Sequence, residues 1–145
     1  ARKPLRELGL DFNHGTGHGV GHMLSVHEGP NTISPRAAAC HIVPGMITSD
    51  EPGVYLEGRY GIRTENEILC IKKDGKYAFE MITFCPYERD AIDVSMLTEP
   101  EIKFVDDYHR KVYETLSPLL DEDVSGWLEE QCRGLREEQA GGKTN

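Results

Sequence analysis

The sequence predicts an α+β fold, an antiparallel sheet followed by flanking helices, and three stretches carry that reading. Residues 62–72 alternate as a strand and run into Asp74-Gly75, a hairpin dipeptide that leads on to a second strand over Tyr77–Phe84. Thr98-Glu99-Pro100-Glu101 has the form of a capping box, and Ile102, Val105, Tyr108, Val112 and Leu116 follow at helical spacing as one apolar stripe. Between His14 and His22 every second residue is glycine. A helix there would lose about 1 kcal/mol per glycine relative to alanine, so an extended segment is expected.

The remaining elements follow in order. Residues 1–10 read as the end of a helix stopped by Gly9, and the chain begins with Ala1, so its start reads as a cut. Residues 11–34 read as a Gly-rich strand and loop, and 35–45 as a connection ending in Pro44-Gly45. Met46-Ile47-Thr48 is a short strand, with turns expected at Pro52-Gly53 and Gly58–Gly61. Asp123 to Glu138 reads as a second, more charged helix around Trp127, Leu128 and Leu135, before a frayed tail. The domain reading is one domain part over 1–139, with 98–139 as a helical extension and 140–145 as the tail.

A chain of 145 residues is enough for one domain with a core. Its net charge of −9 argues against nucleic acid, which requires clustered Lys and Arg. No apolar run approaches membrane-spanning length. Cys40, Cys70, Cys85 and Cys132 form no CxxC pair, which fits reduced thiols in a cytoplasmic protein rather than a zinc knuckle. A Cys40-His41 nucleophile is disfavoured, because nothing nearby in the sequence would hold the imidazole.

Four histidines, His14, His18, His22 and His27, cluster within fourteen residues, which favours a site over a bystander. With a period of two, His14, Thr16, His18, Val20 and His22 would share one face, and the opposite glycine face would admit a neighbouring backbone closely. Asp50-Glu51-Pro52-Gly53 sets acids at a strand end. Glu65 is expected within the strand Ile62–Ile71, on the face of Arg63 and Glu67, where burying an acid demands a partner or a cation. The intervening turns would bring Glu51 and Glu65 together. Two carboxylates and an imidazole suit Mn2+, Co2+ or Zn2+, and a pair of such ions can generate a nucleophile from water at neutral pH.

Taken together, His14-Gly-Thr-Gly-His18-Gly-Val-Gly, Val26-His27-Glu28-Gly29-Pro30, Asp50-Glu51-Pro52-Gly53-Val54-Tyr55 and Gly61-Ile62-Arg63-Thr64-Glu65-Asn66 resemble the Xaa-Pro aminopeptidases (aminopeptidase P) of the pita-bread metallopeptidases. The likeness continues through Asp93–Thr98 and Tyr108-His109 to about Leu135. The resemblance implies the C-terminal half of a pita-bread catalytic domain, hydrolysing the first residue from peptides with proline second. It implies His18, Glu51 and Glu65 as metal ligands, with Glu51 also moving protons and Glu65 bridging two divalent ions, Mn2+ before Zn2+ or Co2+. His14 and His27 fall where the family lines its substrate pocket, Arg63 where an arginine supports the site, and His22 and Tyr55 at pocket positions. The family also uses two aspartate ligands ahead of the histidine motif. Only ten residues precede Asp11, none of them an aspartate, so the chain alone is expected to be inactive. The intact protein is expected to be a homodimer acting on peptides, without nucleic acid or membrane partners. The alternatives are a prolidase-like dipeptidase and a non-catalytic peptide-binding module.

Overall fold

The computed structural model describes residues 1–23, 25–36 and 40–137. The chain divides into two compact units, Ala1–Thr83 and a second from Phe84 onward.

In the first unit, helix α1 (Arg2–Glu7) stops where Gly9 takes a positive φ of 72°. Strand β1 (Gly17–His18) pairs antiparallel with β2 (Thr32–Ile33). Strand β3 (Ile47–Asp50) pairs with β6 (Asn66–Lys73), which pairs in turn with β7 (Lys76–Met81), giving an antiparallel sheet in the order β3-β6-β7. The β6–β7 turn has positive φ at both Asp74 and Gly75, the geometry that matches the twist of a two-residue hairpin. Asn66, Ile68 and Cys70 alternate onto the buried face, with the fully buried Thr48 of β3 opposite Ile68.

Two expectations are corrected. Pro52-Gly53 does not turn the chain: Gly53 opens strand β4 (Gly53–Leu56), which pairs with β5 (Tyr60–Arg63), and the turn falls at Gly58. The expected strand over 62–72 is broken at Thr64-Glu65 into β5 and β6, which belong to different sheets. The alternation of Ile62 with Ile68 and Cys70 therefore does not describe one face. Ile62 is exposed, and Glu65 lies at the junction rather than within a strand.

The second unit is built on helix α2 (Glu99–Leu116). Its capping box is formed: Glu101 Oε2 accepts from the Thr98 N–H at 2.8 Å and from its hydroxyl at 2.7 Å. Ile102, Tyr108 and Val112 of the predicted stripe are buried, along with His109. Leu128 of helix α3 (Glu122–Gln131) and Leu135 complete this core, each such apolar side chain contributing about 1.5–3 kcal/mol. The predicted helix over 123–138 is shorter than expected. It stops at Gln131, and three backbone carbonyls beyond or at its end, those of Glu130, Gly134 and Glu137, accept from the Arg89 guanidinium. The predicted tail lies outside the described residues.

Candidate metal centre

β1 lies unusually close to β3, because a Cβ at Gly17 would overlap the Ser49 carbonyl, and just beyond β1 a Cβ at Gly19 would overlap the carbonyl of Glu28. This is the close backbone approach that the bare glycine face predicts. The Glu51 N–H donates to the Thr16 carbonyl at 2.7 Å, and Gly19 bridges to Thr48. The shared histidine face is not found: the strand ends at His18, Thr16 is buried, and His22 sits exposed in a turn.

Three side chains converge. One ligand atom each from His18, Glu51 and Glu65 lies within 4.8 Å of the others. Register explains the meeting. Asp50 pairs with Asn66 and Gly53 with Arg63, so Glu51 and Glu65 occupy the same end of two paired ladders. Glu51 is only 8% exposed, unlike the solvated turn residue that a Glu before Pro-Gly ordinarily is. Glu65 is exposed.

Hydrogen-bond accounting fixes the chemistry of this cluster. The Gly19 carbonyl can only accept, so His18 Nδ1 donates to it at 3.0 Å. That leaves Nε2 pointing at Glu51 Oε1, 3.1 Å away. In the neutral imidazole two lone pairs face each other there, with a second carboxylate, that of Glu65, alongside. Such a set is repulsive unless a proton or a cation lies between the atoms. The donor set therefore fits a divalent metal of the Mn2+, Zn2+ or Co2+ class, with the second ring nitrogen held by a carbonyl as metal-binding imidazoles require.

Around it runs a polar chain. Arg63 Nη1 stands 3.5 Å from Glu51 Oε2, and Arg63 Nε donates to the Tyr55 hydroxyl at 2.8 Å. The Tyr55 hydroxyl, followed by Glu51 and Glu65, raises the Arg63 pKa further, keeping the guanidinium charged. His14 Nδ1 donates to the Gly15 carbonyl at 2.6 Å, so its Nε2 accepts from Tyr55, 2.7 Å away. Tyr55 is thus tied to both His14 and Arg63. The His27 ring lies against that of His18, centroids 4.2 Å apart and tilted by 60°, and makes no hydrogen bond among the described residues. A cleft of about 430 Å³, lined by Arg2, Phe12, His14, Ser34 and Arg36, opens beside His14.

Asp11 takes no part in the cluster. Its carboxyl is lowered to about 2, first by the Phe12 N–H and then by Arg6 and Arg2. Cys40 and His41 share no hydrogen bond among the described residues, and all four cysteines are free thiols. Sequence reasoning missed Ser49 and Asn31. The Ser49 hydroxyl contacts both His18 and Glu51, and the Asn31 amide donates to Ile47 O and Thr48 Oγ1, fastening the loop that carries His27. A signal for Ser49 existed: a hydroxyl two positions before a carboxylate on extended chain lies on the same side.

Residues 1–72 match the family model for metallopeptidase family M24, and residues 75–135 match that for the C-terminal region of peptidase M24. The chain is 46% identical over 144 residues to a protein named probable Xaa-Pro aminopeptidase P from Coprinopsis cinerea, covering 90% of this chain and 23% of that one. It is 42% identical over 147 residues to Xaa-Pro aminopeptidase 1 of Dictyostelium discoideum, covering 93% of this chain and 23% of the relative. It superimposes on the X-prolyl aminopeptidase of Caenorhabditis elegans, described as a cytosolic enzyme with a di-nuclear active site, with a TM-score of 0.83 at 38% identity. That match covers 92% of this chain and 23% of the solved one, so the chain spans about a quarter of the length of these relatives. Its antiparallel sheet with flanking helices is that of the pita-bread fold. With family models matched over both units, the chain belongs to metallopeptidase family M24.

Proposed function

We propose that this chain contributes His18, Glu51 and Glu65 to a two-metal centre, and that the intact enzyme removes the first residue from peptides with proline second. The observation that carries this reading is the convergence of one ligand atom each from His18, Glu51 and Glu65 within 4.8 Å of one another. Divalent cations held there supply a Lewis acid for the scissile carbonyl and a nucleophile from water at neutral pH. Mn2+ is the proposed metal, with Zn2+ and Co2+ as chemically equivalent candidates. The names of the relatives support the proline preference and a cytoplasmic setting. No helix among the described residues is long and apolar enough to cross a membrane.

The surrounding residues divide the work. Glu51, buried and held from three sides, accepts the proton released as water attacks and passes it to the departing amine. Arg63 holds its second oxygen in place. His27, whose ring makes no hydrogen bond among the described residues and lies beside His18, donates to the carbonyl as charge develops on its oxygen. His14, with both nitrogens engaged, shapes the wall of the adjoining cleft where the peptide lies. A homodimer acting on peptide substrates completes the proposal.

The three ligands found among the described residues are too few for two ions, so residues 1–145 alone should not hydrolyse Xaa-Pro peptides. Metal-dependent cleavage by that polypeptide alone would overturn this point. For the function itself, metal-stripped intact enzyme should recover cleavage of an Xaa-Pro-Yaa tripeptide with Mn2+, and should cleave it in preference to the dipeptide Xaa-Pro. A preference for the dipeptide would make it a prolidase-like enzyme, and hydrolysis unaffected by metal removal would sink the proposal.

A further inference from the structure

We propose that Ser49 is a positioning residue of the metal centre, its hydroxyl tying the backbone of His18 to the carboxylate of Glu51 so that both ligands face one point. The inference rests on the metal-site reading above.

A serine hydroxyl has one proton and two acceptor sites. The His18 N–H can only donate, and it does so to Ser49 Oγ at 2.9 Å. The Glu51 carboxylate can only accept, and it lies 3.1 Å from the same oxygen through Oε1. The single hydroxyl proton is therefore committed to Glu51, on the oxygen that also faces His18 Nε2. Ser49 is 1% exposed, so the side chain is held by packing and has no access to bulk water. The other hold on Glu51 is weaker. Arg63 is a long, partly exposed side chain and approaches Oε2 only to 3.5 Å. Ser49 is thus the short, rigid restraint on the rotation of the Glu51 carboxylate.

The sequence around Ser49 is arranged to make this contact possible. Any side chain at Gly17 would collide with the Ser49 backbone, so glycine there lets β1 come close enough for the His18 N–H to reach the hydroxyl. The neighbouring Thr48 turns its own hydroxyl the other way, to the Asn31 amide. Successive hydroxyls of β3 therefore hold two different parts of the histidine segment. Groups that orient metal ligands in this way tune affinity about 10–100-fold when lost.

The test compares Ser49→Ala, Ser49→Val and Ser49→Thr in the metal-stripped intact enzyme. Mn2+ affinity would be measured by titration calorimetry, with kcat and KM on an Xaa-Pro tripeptide. Ser49→Ala and Ser49→Val should weaken Mn2+ binding by about 10–100-fold and lower kcat with KM unchanged, because Ser49 does not touch substrate. Ser49→Thr, matching Val in shape but keeping the hydroxyl, should restore wild-type affinity. Equal impairment by Thr and Val, or wild-type affinity in Ala, would overturn the inference. If the valine variant does not fold, the Ala–Thr comparison decides alone. A wild-type enzyme that binds no Mn2+ would instead overturn the metal-site reading itself.

Discussion

Replacing Gly17 by alanine probes the contact on which the site is built. The added Cβ would overlap the Ser49 carbonyl, and backbone atoms cannot rotate away as a side chain would. β1 must move off β3, and two hydrogen bonds span that gap: Glu51 N–H to Thr16 O at 2.7 Å and His18 N–H to Ser49 Oγ at 2.9 Å. Leaving a buried donor unsatisfied costs about 1–3 kcal/mol, so the pair sets a loss of about 2–6 kcal/mol. The urea midpoint of the unfolding step that includes this segment should fall accordingly. Gly15→Ala is the control. Its nearest neighbour is Ile33 O at 3.6 Å, an ordinary contact, so that variant should stay within about 0.5 kcal/mol of wild type. The assay is urea unfolding of the intact enzyme alongside Mn2+ titration, and Gly17→Ala should also lose Mn2+ affinity while Gly15→Ala keeps it. Equal behaviour of the two variants would refute the reasoning.

Further outcomes follow from the second unit. His109 is wholly buried, its Nε2 accepts from the Tyr87 N–H at 3.0 Å, and burial lowers its pKa below the ordinary 6.5. The folded state thus favours the neutral ring, so its stabilisation is complete above pH 6.5 and is lost as pH falls below that value. His109→Gln should flatten this part of the stability–pH curve, and an unchanged slope would contradict the assignment. Arg89 closes the end of α3 with three bonds, to Glu130 O at 3.3 Å, Gly134 O at 2.9 Å and Glu137 O at 2.7 Å. Arg89→Ala should cost about 2–3 kcal/mol and expose residues 131–137 to proteolysis, whereas unaltered digestion would show the clamp to be dispensable.

The parts of this molecule that could be read from sequence are those set by local chemistry. Asp74-Gly75 dictates its hairpin through positive φ, and Thr98 with Glu101 forms its cap within one turn of helix. The glycines at 17 and 19 announced a close backbone neighbour, although not that it would be Ser49 and Glu28. What escaped sequence reasoning depends on pairing across distance. Ile62 to Ile71 reads as one alternating strand, yet β5 is claimed by β4 and β6 by β3, so the chain breaks between them at Thr64-Glu65. Pro52-Gly53 carries turn residues but lies where β4 must begin to pair with Arg63. His109 fits the apolar stripe of α2 only because Tyr87, far off in sequence, supplies a backbone donor. For the site, residue types and clustering pointed to the histidine group with Glu51 and Glu65, and the family resemblance singled out His18 among the histidines. Their common orientation depends on Ser49 and Gly19 O, whose roles become apparent only once the strands are placed together.

Anomalous diffraction from crystals of the intact enzyme, loaded with Mn2+ and recorded at the manganese edge, tests the central claim most directly. A peak within direct coordination distance of His18 Nε2 and of carboxylate oxygens of Glu51 and Glu65 is the predicted result. A peak elsewhere, or none while those three side chains point apart, would contradict it.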